Sequence, residues 1–277
     1  MELYDVMRTT FAVREFTDDP LPDPVLYRIL DNARFAPSGG NRQGTHIIAV
    51  RNAALRERLG DLNVPGARRY FAQLSAGESP WNAVEPSDVP AATIAGTVVP
   101  DEFTAPFRRA AVVLVITVDL AYVAAMDQDL DRIGVVSGAS VYPLVWNILL
   151  GARNEGYGGT LTTMAVPEEP QIRGLLGIPD TQAVAALLPL GKPTRQVSKL
   201  RRRSVEDFTT RDRFDGAPFK TTRELPKARR KSPRKDAEDE CSSESSGPIG
   251  PCGEACRVVE RRQARGLDRI LAHHRAS

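Results

Sequence analysis

Cysteine is scarce in this sequence. Its 277 residues contain three, Cys241, Cys252 and Cys256, all beyond residue 240. The chain before them has no disulfide to hold it and no thiol nucleophile to react with. Histidine is equally rare. His46 is the only one before residue 220, and no Ser-His-Asp set is read around it. It falls in a segment that reads as a strand, where a structural role is expected. No phosphate loop ending in Gly-Lys-Ser/Thr occurs, and no GxGxxG follows the first strand. Long apolar runs are missing as well. The longest, AAVVLVITV at 110–118, is far below the roughly 20 residues that a membrane-spanning helix needs. It suits a buried strand. MELYDVMRTT at the start has no basic region followed by an apolar stretch. A cytoplasmic protein with no membrane partner is expected.

The net charge of +2 conceals an asymmetry. Residues 220–277 carry 14 Lys+Arg against 9 Asp+Glu, which leaves 23 against 26, a net of −3, in residues 1–219. The slightly acidic body suggests no specific nucleic-acid partner. Two parts are therefore expected, a folded domain over 1–219 and a charged, disordered tail over 220–277. The spacing of Cys241, Cys252, Cys256, His273 and His274 is not that of a usual zinc site, and no metal is expected.

Periodicity within 1–219 predicts alternating elements. A short helix covers 2–9. A second opens at Pro22-Asp23-Pro24, where Asp23 can cap and Pro24 suits the first helical position. APSGGN at 36–41 is a loop and 45–52 a strand. Two helices follow, at 53–60 and 66–76. Residues 77–109 lack clear periodicity and read as a lid or binding loop carrying Trp81 and Phe103. A strand at 111–118 is next. SGASVYPLVWNILLGARNE, 137–155, is apolar on nearly all faces, so it should be a deeply buried helix or one at a subunit interface. A glycine turn feeding a strand spans 156–164, a short helix 167–177 and a further strand 183–191. Strands separated by helices give an α/β or α+β domain.

Four segments then recur in a telling order. They are MRTTFAVREF at 7–16, APSGGNRQ at 36–43, the apolar helix running into GYGGTLTT at 156–163, and LPLGKP followed by RRRSVED at 201–207. Singly each has a plain explanation, such as a solvated arginine, a turn or a basic run. Together, over roughly residues 1–215, they resemble the nitroreductase family. The resemblance implies an α+β fold with a mixed central sheet flanked by helices, and a homodimer holding FMN at its interface. Thr10 to Arg14 would contact the phosphate and ribityl side of the flavin. Ser38, from the partner chain, and Asn41 would reach the flavin, with Gln43 beside them. Gly158 and Gly159 would present backbone to its N5 edge. Arg202, with Arg203 or Arg201, would hold the phosphate.

Arginine suits a phosphate dianion because it gives planar, charge-assisted hydrogen bonds. No catalytic side chain is obligatory, since the flavin itself carries hydride. The implied activity is reduction of a small-molecule electron acceptor, a nitroaromatic or quinone, with NADPH or NADH as donor and ping-pong kinetics. Reductive dehalogenation, flavin breakdown and non-enzymatic flavin binding stay open as alternatives. The sequence departs from the family at two places. Thr10, Phe11 and Ala12 stand where an arginine pair and a serine are usual, with Arg8 as the nearest basic substitute. Gly44 and Thr45 replace a proline and a tryptophan.

Overall fold

The computed structural model describes residues 1–221. The predicted tail, with its cysteines and its last two histidines, lies outside the described residues. The chain divides into two compact units, Met1–Phe208 and a second that starts at Thr209. Of the second, the described residues form a small closed turn. In it Thr210 bridges Pro218, and the Arg211 guanidinium lies 4.7 Å from the Phe219 ring centre.

The first unit begins with helix α1 (Leu3–Thr9) and helix α2 (Asp23–Ala33). Asp23 does not cap α2. Its carboxylate instead accepts from the Arg51 guanidinium at 2.6 Å, and Pro22 occupies the cap position. Strand β1 (Thr45–Val50) precedes helix α3 (Ala53–Ser75), which Asn52 caps by accepting from the Leu55 amide. The two helices expected at 53–60 and 66–76 are thus one. Pro65 lies inside it, where a proline costs about 3 kcal/mol. The helix continues because Leu59, Asn63, Gly66 and Ala67 are all buried along one side, and this packing outweighs the missing hydrogen bond.

The 77–109 segment is less irregular than its sequence suggests. It contains helix α4 (Ala91–Gly96) and helix α5 (Ala105–Arg109). Phe107 of α5 is fully buried, so the end of this segment belongs to the core rather than to a lid. Strand β2 (Val112–Asp119) follows, then helix α6 (Tyr142–Asn154), strand β3 (Gly158–Gly159), helix α7 (Glu169–Leu176) and strand β4 (Gln182–Gly191). A 3-10 turn (Val136–Ser140) takes up the start of the helix expected at 137, and Pro143 falls in the first turn of α6.

The sheet order is β1-β2-β4-β3 and every strand pair is antiparallel. The parallel component is the single bridge from Ala12 to Gly159. Side chains alternate along β2 with period two. Val112, Leu114 and Ile116 pack under α2 and α6, while Val113 and Val115 pack under α3, α5 and α7. The sheet is therefore covered on both faces, which explains why β2 is apolar throughout. One side of α6 packs on α2, but Tyr142 and Trp146 on another side remain 43% and 44% exposed.

Candidate functional site

The glycine turn after α6 draws three distant segments together. The Val13 amide donates to the Gly159 carbonyl at 3.0 Å. A Cβ on Gly158 would lie 2.7 Å from Val13 Cγ2, and one on Gly159 would lie 2.4 Å from the Pro189 carbonyl oxygen. Glycine is required here so that segments 10–16, 158–160 and 189–191 can pack against one another. This differs from the reason expected from sequence, which was access for a ligand.

The packing brings Arg14 beside the strand that leaves Gly159. Arg14, Asn63, Phe103, Thr160 and Thr162 line a cavity of about 140 Å³ at this place. The Arg14 guanidinium is 5.8 Å from the Phe103 ring centre. Thr10 is buried, and its hydroxyl donates to the Val6 carbonyl at the end of α1. Arg8 lies over the Tyr4 ring on the same helix. Beyond β4 the chain returns along this segment, for the Thr194 amide donates to the Glu15 carbonyl and the Gln196 side chain donates to the Thr9 carbonyl. Arg202 and Arg203 follow, both exposed, with Arg202 donating to the Arg201 carbonyl. Among the described residues, Arg8, Arg14, Arg202 and Arg203 take part in no ion pair.

Ser38, Asn41 and Gln43 sit elsewhere. Their loop is stabilised from within. Ser38 Oγ accepts from the Gln43 amide at 3.0 Å, and the Gln43 side chain donates to Asn41 Oδ1 at 3.2 Å. Gly40, Asn41 and Gln43 have φ of 62°, 54° and 50°, a left-handed conformation that costs a non-glycine residue roughly 1 kcal/mol or more. The loop rests on the segment after β2. The Gly39 amide donates to Ser140 Oγ at 3.1 Å, and Gly44 is pressed against Tyr122. Asp127 shapes that segment. Its side chain is 5% exposed and accepts from the Val135 amide at 2.8 Å and from Arg132 at 2.7 Å. These donors, the backbone amide foremost, hold its carboxyl down to about 2. An open hollow of about 820 Å³ adjoins it, lined by apolar groups that include Leu120, Val135, Val141 and Tyr142.

The expected site residues are therefore divided between the two ends of the sheet. Gly159 pairs with Leu190, which pairs with Val112 at one end of β2, whereas Thr45, just after the Ser38 loop, pairs with Val118 at the other. Six residue steps of strand separate these ends by about 20 Å. One small ligand cannot reach both within a single protomer.

The residues fit a planar, phosphate-bearing cofactor in kind. Unpaired guanidinium groups suit a dianion, and threonine and amide groups suit a polar ring edge. The cavity in one protomer is smaller than the roughly 300–1,000 Å³ usual for such ligands. It would hold part of one. No group of acidic, histidine or cysteine side chains able to hold a metal occurs among the described residues. No helix of the described residues is long and apolar enough to cross a membrane.

Phe103, expected in a lid or binding loop, lines the cavity, whereas sequence reasoning missed Asn63, Ser140 and Asp127. The threonines of GGTLTT belong to the segment 156–163 but carry no signal of their own. Asn63 could have been noticed only as a polar residue on the buried side of a helix.

A helix-covered antiparallel sheet with Arg14, free of any ion pair, at a glycine-built crevice is an arrangement suited to a small anionic cofactor. Comparison with known proteins makes this specific. The nitroreductase family model matches residues 7–192, and the chain belongs to that family. It is a nitroreductase-family oxidoreductase. It is 30% identical over 185 residues to a protein named NADH dehydrogenase from Thermus thermophilus, covering 67% of this chain and 83% of that one. Among solved structures, it resembles iodotyrosine deiodinase bound to FMN and 3-iodo-L-tyrosine, with TM-score 0.54 and 20% identity over 74% of this chain and 96% of the other. A nitroreductase from B. subtilis matches with TM-score 0.55 and 14% identity over 77% and 75%. At such identities the structural matches speak for the fold alone.

Proposed function

We propose that this protein is an FMN-dependent oxidoreductase that uses NADH or NADPH to reduce small electrophiles such as nitroaromatics and quinones. It works as a cytoplasmic homodimer with two sites, each assembled from both protomers. The observation that carries this reading is the division of the family-matched residues between the two ends of the sheet. Arg14, Gly158 and Gly159 of one protomer and Ser38 of the other can meet only across an interface. The exposed Tyr142 and Trp146 on α6, and Leu3, Tyr4 and Met7 on α1, supply apolar surface of the type that interfaces use.

The chemistry that FMN supplies when bound is two-electron hydride transfer at its N5 position. The work of the chain is to hold and orient. Arg14, with Arg202 and Arg203 from the returning segment and Arg8 on α1, would neutralise the phosphate. Thr10 ends α1 and sets where Arg14 begins. Ser38, Asn41 and Gln43 would hydrogen-bond the polar rim of the ring from the other protomer. Gly158 and Gly159 would bring backbone close to the reacting edge. No side chain of the body needs to act as acid or base. Donor and acceptor would take turns over one cavity, which gives ping-pong kinetics. The folded unit would be sufficient for this activity, with residues 220–277 dispensable.

The test is the visible absorbance spectrum of the purified protein under nitrogen, before and after NADPH. Flavin bands that bleach with NADPH and return on adding a quinone are expected. A protein that stays colourless after incubation with FMN would overturn the reading. Light scattering should give twice the chain mass, and a monomer that turns over would refute the shared site.

A further inference from the structure

Asn63 is 1% exposed, in the middle of α3, and both polar atoms of its side chain have a partner. The Nδ2 group donates to the Phe103 carbonyl at 3.0 Å, and Oδ1 accepts from the Thr162 hydroxyl at 3.4 Å. One turn further on, a Cβ at Gly66 would lie 1.9 Å from the Met164 carbonyl oxygen. The helix therefore touches the backbone of the segment after β3 that carries Thr162, and no side chain separates them at this point. Three elements meet at one buried amide: the long helix, the end of the 77–109 segment and the strand leaving Gly159.

All three elements, Asn63 included, line the 140 Å³ cavity. Phe103 is held there by its carbonyl bond to Asn63, by an edge-on contact to Phe71 at 4.8 Å, and by Arg14. Ring contacts fix the tilt of a side chain but leave its backbone free to slide. The amide bond fixes the backbone. Without it, the Phe103 carbonyl would lose its side-chain donor and the Thr162 hydroxyl its acceptor, keeping only the Met164 amide as a donor to it, and the two walls would no longer be tied together.

We propose that Asn63 is a specificity-determining positioning residue. It sets the spacing between the Phe103 and Thr162 walls and thereby the size of acceptor that the cavity admits. It carries no proton and acts through the two residues it joins. This inference rests on the oxidoreductase reading of the site.

The experiment uses the flavin-loaded full chain with two acceptors, the single-ring benzoquinone and the two-ring menadione. Asn63 itself lines the cavity, so flavin content and bleaching with NADPH are measured for every variant and the acceptor rates are expressed per bound flavin. In Asn63→Leu the ratio of kcat/KM for menadione to that for benzoquinone should change by about fivefold or more, through KM. Thr162→Val, which removes one of the two bonds at the surface of the fold's interior, should move the ratio in the same direction. The double variant should go no further than the larger single change, because both act on one spacing. Asn63→Asp keeps the acceptor for Thr162 and should fall between. Parallel losses with both acceptors or additive effects in the double variant would each overturn the proposal. Should Asn63→Leu fail to fold, an unchanged ratio in Thr162→Val overturns it. Parent protein that never takes up FMN or never bleaches with NADPH would overturn the oxidoreductase reading instead, which separates the two failures.

Discussion

At the Val112 end of β2, three chain segments lock together through backbone contacts so close that a Cβ would not fit. At the Val118 end, the Ser38 loop stands on side-chain hydrogen bonds, with left-handed residues and an open apolar hollow beside it. The first end owes its residues to packing and is part of the fold. The second owes them to local hydrogen bonding and can change without disturbing the core. A site assembled from one end of each kind combines a rigid wall with an adaptable rim.

The sharpest way to break this comparison is at Gly159. Replacing it with valine forces side-chain atoms into the Pro189 carbonyl and Leu190. The expected cost is about 3 kcal/mol or more, roughly 6–12 °C in Tm, read by thermal unfolding. A variant as stable as the parent would show that the glycines are there for a ligand after all. Next in size is Arg14→Gln. It should weaken FMN binding by about 10–100-fold, the worth of one charged hydrogen bond, while Tm of the apoprotein hardly moves. Fluorescence titration with FMN checks it.

Complementation sharpens the division between protomers. An Arg14→Gln chain and a chain with Ser38→Ala and Asn41→Ala should each be poorly active. Refolded together, they form heterodimers with one intact site, which restores about a quarter of the parent activity under random pairing. No recovery would mean that both sets of residues act within one chain.

Asp127→Asn has the smallest expected effect and tests the segment on which the adaptable end rests. The Asp127 carboxyl is held at about 2, below its ordinary 3.8. A depressed acid contributes stability that is present above the ordinary value and lost as pH falls through the depressed one. Parent and variant Tm should therefore differ at neutral pH and converge as pH drops from about 4 towards about 2. Curves that stay parallel down to pH 2 would remove Asp127 from the account.

Much of the rigid end was legible in the sequence, and less of the rest. The apolar run 110–118 read as a buried strand because both faces of β2 are covered. The glycines of GYGG read as a turn into a strand, as found. α3 did not read as one helix, because a proline carries a strong local signal and the burial that outweighs it comes from other elements. Asn63 was silent, since its main partner is a backbone carbonyl, which no residue type encodes. Asp127 was silent for the same reason, being held largely by amides. The separation of Ser38 from Gly158 depends on strand register. That register is fixed by which faces of β1, β2 and β4 meet, and a single segment does not contain it.

The interlocked end also constrains how the chain can be made. Val13 must wait for Gly159, and Glu15 must wait for Thr194, 179 residues later. At about 5–20 residues per second on a ribosome, that delay is roughly 10–35 s. The first segment gains Gly159 only late in that interval, and the sheet lacks β4 until residue 191 has been made. Contacts of such long sequence separation also slow refolding. The arginine-bearing crevice is therefore among the last features to form, and truncation anywhere before β4 removes it whole.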